Sequence, residues 1–99
     1  MTTCEGVIVE AVQVLESTRT YALPRADIRD VLSHIIRLRG LRLAYKAAYV
    51  RALELYAAFS NLDFVDALNV AHMERAGIST IISFDRDYDR ISTVTRVEP

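Results

Sequence analysis

A chain of 99 residues, 52% hydrophobic and 25% charged, makes one small domain with enough apolar material for a core, which excludes disorder and leaves no room for a second domain. Its formal net charge of -1 excludes general electrostatic attraction to nucleic acid, so a polyanion would have to be met by local arginines or through metal ions. The single cysteine, Cys4, excludes an intramolecular disulfide, and no membrane-length apolar run or signal-peptide pattern stands in the sequence; the expectation is a cytoplasmic protein without a membrane partner.

Residues 3–16 carry two overlapping patterns. Their β-branched content suits a strand, but an uninterrupted strand of that length is unusual, so a helix is expected. On that helix Val7, Ala11 and Val14 surround Glu10, while Ile8, Val12 and Leu15 form a second apolar stripe. An acid set among aliphatic residues needs a partner, a proton or a metal; a salt bridge to an arginine would serve equally. Residues 17–24 connect to a second helix over 25–39, with Pro24 at its start and Ile28, Val31, Leu32, Ile35 and Ile36 at helical spacing. His34 has no second histidine or cysteine at ligand spacing and reads as a surface or packing residue. Gly40 ends that helix, Leu41-Arg42-Leu43 reads as a very short strand, and residues 45–59 form a third helix whose tyrosines suit packing better than base stacking.

The stretch over residues 62–91 organises the rest. A helix over 63–75 has Phe64, Ala67, Leu68 and Ala71 on one face, Asp63 as its N-cap and Gly77 at its C-terminus. Residues 78–84 then read as a mostly buried strand, and 94–97 as a final one. A link as short as Gly77 reverses the chain, so helix and strand run antiparallel. Asp66, in the first turn of the helix, and Asp85, just past the strand, are expected to be neighbours at the edge where α/β sheets bind ligands. The element order predicts a small α/β domain with a short parallel sheet, although no central strand precedes the first helix.

Nucleophile templates, glycine-rich phosphate loops and zinc spacings are absent. What remains is a set of carboxylates: Glu10, Asp66 and Asp85, with Asp63 and Asp87 in reserve. Hard oxygen donors of this kind suit Mg²⁺ or Mn²⁺, and clustered acids around such ions activate water against a phosphodiester. Each acid also has a structural reading: Asp63 as a cap, Asp66 as a first-turn acid, Asp85 and Asp87 as turn residues.

The run DFVDALNVAHMERAGISTIISFDRDYDRI resembles the C-terminal half of PIN domains, the nuclease fold of VapC-type toxins, through Asp66-Ala67-Leu68 and Ser83-Phe84-Asp85-Arg86-Asp87-Tyr88. VIVEAVQVLES resembles the PIN helix that carries a catalytic glutamate, here Glu10. The resemblance implies a three-layer α/β/α domain and a Mg²⁺- or Mn²⁺-dependent ribonuclease that works as a homodimer and is blocked by a small antitoxin. It assigns Glu10, Asp66 and Asp85 as catalytic, metal-binding acids, Asp87 as a weaker ligand, and Ser83 and Asp63 as neighbours of the site. PIN domains also begin with a strand that ends in an Asp-Thr-Asn-like motif, which this sequence does not contain. The chain therefore reads as an N-terminally truncated member whose open strand slot invites dimerisation. An inactive fragment serving only antitoxin or homodimer contacts is the alternative.

Overall fold

The computed structural model describes every residue of the chain except Phe84, so the part of the predicted 78–84 strand that falls on Phe84 lies outside the described residues. Its elements are α1 (Glu5–Glu16), α2 (Arg25–Ile36), α3 (Lys46–Ala58), α4 (Phe64–Ala76), β1 (Thr80–Ile82), a 3₁₀ turn (Arg86–Arg90) and β2 (Thr95–Val97). Among the described residues this is a mixed α/β domain of four helices and a two-stranded parallel sheet, as the patterning predicts. No helix is long and apolar enough to cross a membrane among the described residues.

The helices form where the periodicity puts them, and local chemistry sets their ends. Asp63 caps α4, its Oδ1 accepting from the Asp66 backbone N–H at 2.8 Å. Gly77 takes the left-handed conformation at φ 73°, and the Ile78 N–H donates back to the Met73 carbonyl at 2.8 Å. α2 stops at Ile36, short of the expected Arg39. The predicted strand at Leu41-Arg42-Leu43 is reduced to one parallel bridge, Thr2 with Arg42.

α3 is the middle of the core. Its Ala48 and Ala52 let neighbouring backbones come close, while Leu53, Leu55 and Tyr56 are buried, with Ile28 and Ile36 of α2 and Val70 of α4 equally enclosed. The 59–63 connection makes α3 and α4 an antiparallel pair. α1 also runs antiparallel to α4: Glu5 Oε1 lies 3.5 Å from His72 Nε2, and a small cleft brings Val12 and Glu16 beside Asp63 and Val65.

Two expectations change. On α1, the stripe of Ile8 and Val12 packs, whereas Val7 and Val14 are 55% and 41% exposed. Either stripe could have packed by periodicity; the larger side chains and nearer neighbours decide for Ile8. The strand expected to be mostly buried is largely open: Ile81 is half-buried, while Ile78 and Ile82 stand 53% and 69% exposed. Among the described residues no helix packs across this strand, so its outer face has no cover. β1 pairs with β2 in register Thr80 with Thr95, Ile81 with Arg96 and Ile82 with Val97. Residues 83–94 make the crossover, close to the shortest a parallel pair allows.

Candidate active site

The α4 and β1 unit delivers its acids to one end. α4 begins there with Asp63 and Asp66; the chain leaves the far end at Gly77, and β1 returns it to Ser83 and Asp85. What joins the two sides is Tyr88, in the 3₁₀ turn. It is buried, and its hydroxyl donates to Asp66 Oδ1 at 3.1 Å. Asn69, one helical turn beyond Asp66, lies near the same hydroxyl and works against its rise in pKa. Burial first, then the Asp66 charge, with a contribution from nearby Asp85, pushes the Tyr88 hydroxyl up to about 12.

Asp66 is half-buried, and its carboxyl is held above the ordinary value of 3.8. Burial is the main cause, the charge of Asp63 adds to it, and the Tyr88 hydrogen bond works the other way. Asp85 is exposed and starts the 3₁₀ turn: its Oδ1 accepts from the Asp87 N–H at 2.9 Å, while its own N–H donates to Ser83 Oγ at 3.0 Å. Asp87 is fixed through its backbone, whose carbonyl accepts from Asn61 Nδ2 at 3.3 Å. So the turn that presents Asp85 is tied to the sheet by Ser83 and to the α3–α4 connection by Asn61.

Glu10 stands apart. It is exposed, and at about 100° per residue it lies roughly half a turn around α1 from the packed Ile8 and Val12. The pairing of α1 with α4 leaves it on the outer side of its own helix. The expectation that Glu10 is enclosed by apolar side chains is therefore corrected, because the stripe around it is the one left in solvent.

The donor chemistry of Asp63, Asp66 and Asp85 suits a hard cation, yet the geometry does not complete a site for one. Among the described residues no three His, Cys, Asp or Glu side chains are grouped closely enough to hold a metal ion. As folded, Tyr88 bonds Asp66 of α4 from within the turn that Asp85 opens, with Glu10 outside this contact.

Tyr88 and Asn69 have no assigned role in a reading of the acids alone. Tyr88 did leave a signal, since one large aromatic within Arg-Asp-Tyr-Asp-Arg marks the side of a charged turn that must be buried. Replacing it checks the hydrogen bond. Tyr88→Phe is expected to raise the Asp66 pKa further, read by NMR titration of the carboxyl carbon, and to cost about 1 kcal/mol of stability. The wild-type tyrosine has a folded pKa above its unfolded value near 10. Its contribution is thus complete below pH 10 and lost as pH rises toward about 12, a limb that Tyr88→Phe removes from the stability profile.

Searches of the curated proteins and of the solved structures return no match to this chain. The PIN domain model matches residues 1–94, nearly the full length and both sides of the acid cluster, and the chain accordingly belongs to the PIN domain family, a family of nucleases.

Proposed function

We propose that this chain is a ribonuclease of the VapC toxin type, dependent on Mg²⁺ or Mn²⁺, hydrolysing RNA phosphodiesters at the end of the fold that carries Asp66 and Asp85. The observation that supports the reading is the hydrogen bond from Tyr88, in the turn that Asp85 opens, to Asp66 at the start of α4. Asp66 is the proton acceptor: a half-buried carboxylate with a raised pKa is a better base than an ordinary aspartate, and Tyr88 orients it through Oδ1. Asp85, exposed and fixed by its turn, and Asp87 behind it would be the residues to offer oxygens to a metal ion, which would activate the attacking water; Ser83 bonds the Asp85 N–H and Asp63 caps the Asp66 turn. Glu10 belongs to the set through the outer stripe of α1. A homodimer and a small antitoxin are the protein partners.

The exposed Glu10 and the lack of a three-acid group among the described residues favour a second reading, in which residues 1–99 alone are inactive and serve in protein contacts. One experiment separates the two. A form extended at its N-terminus by a strand bearing an aspartate is expected to cleave a fluorogenic RNA in Mn²⁺, with little cleavage from residues 1–99. Mn²⁺ is also expected to raise the melting temperature of the extended form, and the rise is expected to vanish in Asp85→Asn. No cleavage and no Mn²⁺-dependent shift in the extended form would leave the contact reading alone.

A further inference from the structure

The end of the molecule opposite the acids has the reverse character. Residues 37–46, RLRGLRLAYK, hold four of the chain's 12 Lys and Arg and no Asp or Glu. They form the α2–α3 connection and the first residue of α3. Arg37, Arg39 and Arg42 are exposed, and among the described residues none of the three makes an ion pair. Lys46 only donates to the Leu38 carbonyl at 2.8 Å, which leaves its charge uncompensated. Clefts of about 520 and 270 Å³ meet at Arg37 and Glu54; the first is also lined by Arg29 and Asp30, and the second runs on to Arg51 and Lys46. Beside them Tyr45 presents a ring that is 58% exposed, with the Arg75 guanidinium 3.9 Å from its centroid.

We infer that this basic end binds the backbone of single-stranded RNA, and that it positions the strand for the acid end. The inference rests on the ribonuclease reading for the choice of polyanion, and on the charge layout for the surface. Arg37, Arg39, Arg42, Lys46 and Arg75 gather at one end and Asp63, Asp66, Asp85 and Asp87 at the other, with Asp30 and Glu54 along the clefts beside Arg37, and Arg86 and Arg90 in the turn that carries Asp87. A polyanion is repelled by the acids and needs an anchor elsewhere. Arg75 and Asp66 are nine residues apart on α4, about 14 Å at about 1.5 Å per residue. That separation equals about four stacked nucleotides at about 3.4 Å each. Phosphates on the arginines and a base against Tyr45 would thus leave the strand long enough to reach Asp66 without bending. Arginines on a connection between helices, with a partly stacked tyrosine, are the elements that nonspecific single-strand binding uses.

The test is binding rather than cleavage. Fluorescence anisotropy of labelled oligouridylate is measured in EDTA, between about 50 and about 200 mM salt. The wild-type chain is expected to bind with a salt-dependent affinity. The triple variant Arg37→Ala, Arg39→Ala, Arg42→Ala is expected to bind about tenfold or more weakly at low salt, with the log–log salt slope reduced by about 2. The matching triple replacement by lysine should restore the slope, Tyr45→Phe should bind as wild type, and Arg19→Ala, outside the band, should change little. Because all three arginines are exposed, circular dichroism should report an unchanged fold. Wild-type binding that survives the triple alanine variant, or preferential binding of the band to anionic vesicles or to an acidic peptide over RNA, would overturn the inference. So would a wild-type chain that shows no RNA binding at low salt. The ribonuclease reading fails separately: RNA that binds the band but is never cleaved by the extended form leaves this surface standing. An extended form that cleaves equally well with and without the three arginines removes it.

Discussion

Asp66→Asn is expected to abolish RNA cleavage by the active form and, in the same molecule, to raise its melting temperature. The loss of activity follows from the role assigned to the carboxylate. An amide cannot take a proton from water, and removal of a general base typically costs about 10²–10⁴ in rate. The gain in stability follows from the environment. Burial and the Asp63 charge hold the Asp66 pKa above its ordinary value, so the folded protein binds a proton that the unfolded chain has already released. Such a group stabilises the fold below the unfolded pKa of 3.8 and loses that contribution as pH rises through the folded value. At neutral pH the ionised Asp66 is a liability that asparagine removes, while the Asn Oδ1 still accepts from Tyr88. The gain is small because the group is only half-buried and water screens its charge. Its sign is what matters: function at the expense of stability is the signature of a working site. In the metal-free protein the Asp66 carboxyl, followed by NMR, should titrate above the range of an ordinary aspartate. Thermal melts of the two proteins at pH 7, beside cleavage assays across pH, check both halves. A destabilised Asp66→Asn with near-normal cleavage would assign Asp66 a structural role only.

What could be read from the residues and what could not divide along a physical line. The α4 and β1 unit was legible because its signals are local: Asp63 caps through a neighbour three residues away, and Gly77 reverses the chain by its own backbone freedom. Two acids at one end follow from those caps and from the lengths of a helix and a strand. The facing of α1 was not legible. Its two apolar stripes are offset by one residue, and which of them packs depends on what stands opposite, a tertiary fact. Glu10 lies on the losing stripe. The exposure of Ile78 and Ile82 has the same origin, since an apolar run announces a buried strand only when both sheet faces have cover. Tyr88 lay in between: its burial could be anticipated from the charged residues around it, but its bond to Asp66 needed the fold. The family pattern supplied roles for acids that spacing alone left open, and it could not supply their distances.

The second large effect is expected at a residue that no pattern singles out. Arg25→Met is predicted to destabilise the protein by about 2–4 kcal/mol, the cost of removing charge-assisted bonds to three backbone carbonyls, of which the Phe59 carbonyl alone also accepts from the Leu62 N–H. Arg25 opens α2, yet its guanidinium reaches the end of α3. Nη1 donates to the Tyr56 carbonyl at 2.9 Å, to the Phe59 carbonyl at 3.3 Å and to the Leu62 carbonyl. The guanidinium carbon also lies 4.2 Å from the centre of the Tyr56 ring. The last carbonyls of a helix lack intrahelical partners, and here one side chain serves them along with the connection that follows. Tyr56 is held from its other end as well, its hydroxyl donating to Glu16 Oε2 at 2.5 Å, so α1, α2 and α3 are locked through a single ring. For a domain of about 100 residues a loss of this size lowers the melting temperature by about 10–20 °C. Arg25→Lys should recover only part of it, because an ammonium carries the charge without the planar group that stacks on tyrosine. The consequence reaches the acid cluster. Leu62 immediately precedes Asp63, and Asn61, which holds the Asp87 carbonyl, is in the same connection. Loosening it should let the α4 cap and the 3₁₀ turn move together. Cleavage by the extended Arg25→Met form, measured well below its melting temperature, is therefore expected to fall while Asp66, Asp85 and Tyr88 are all intact. Equal activity at equal fraction folded would confine Arg25 to stability.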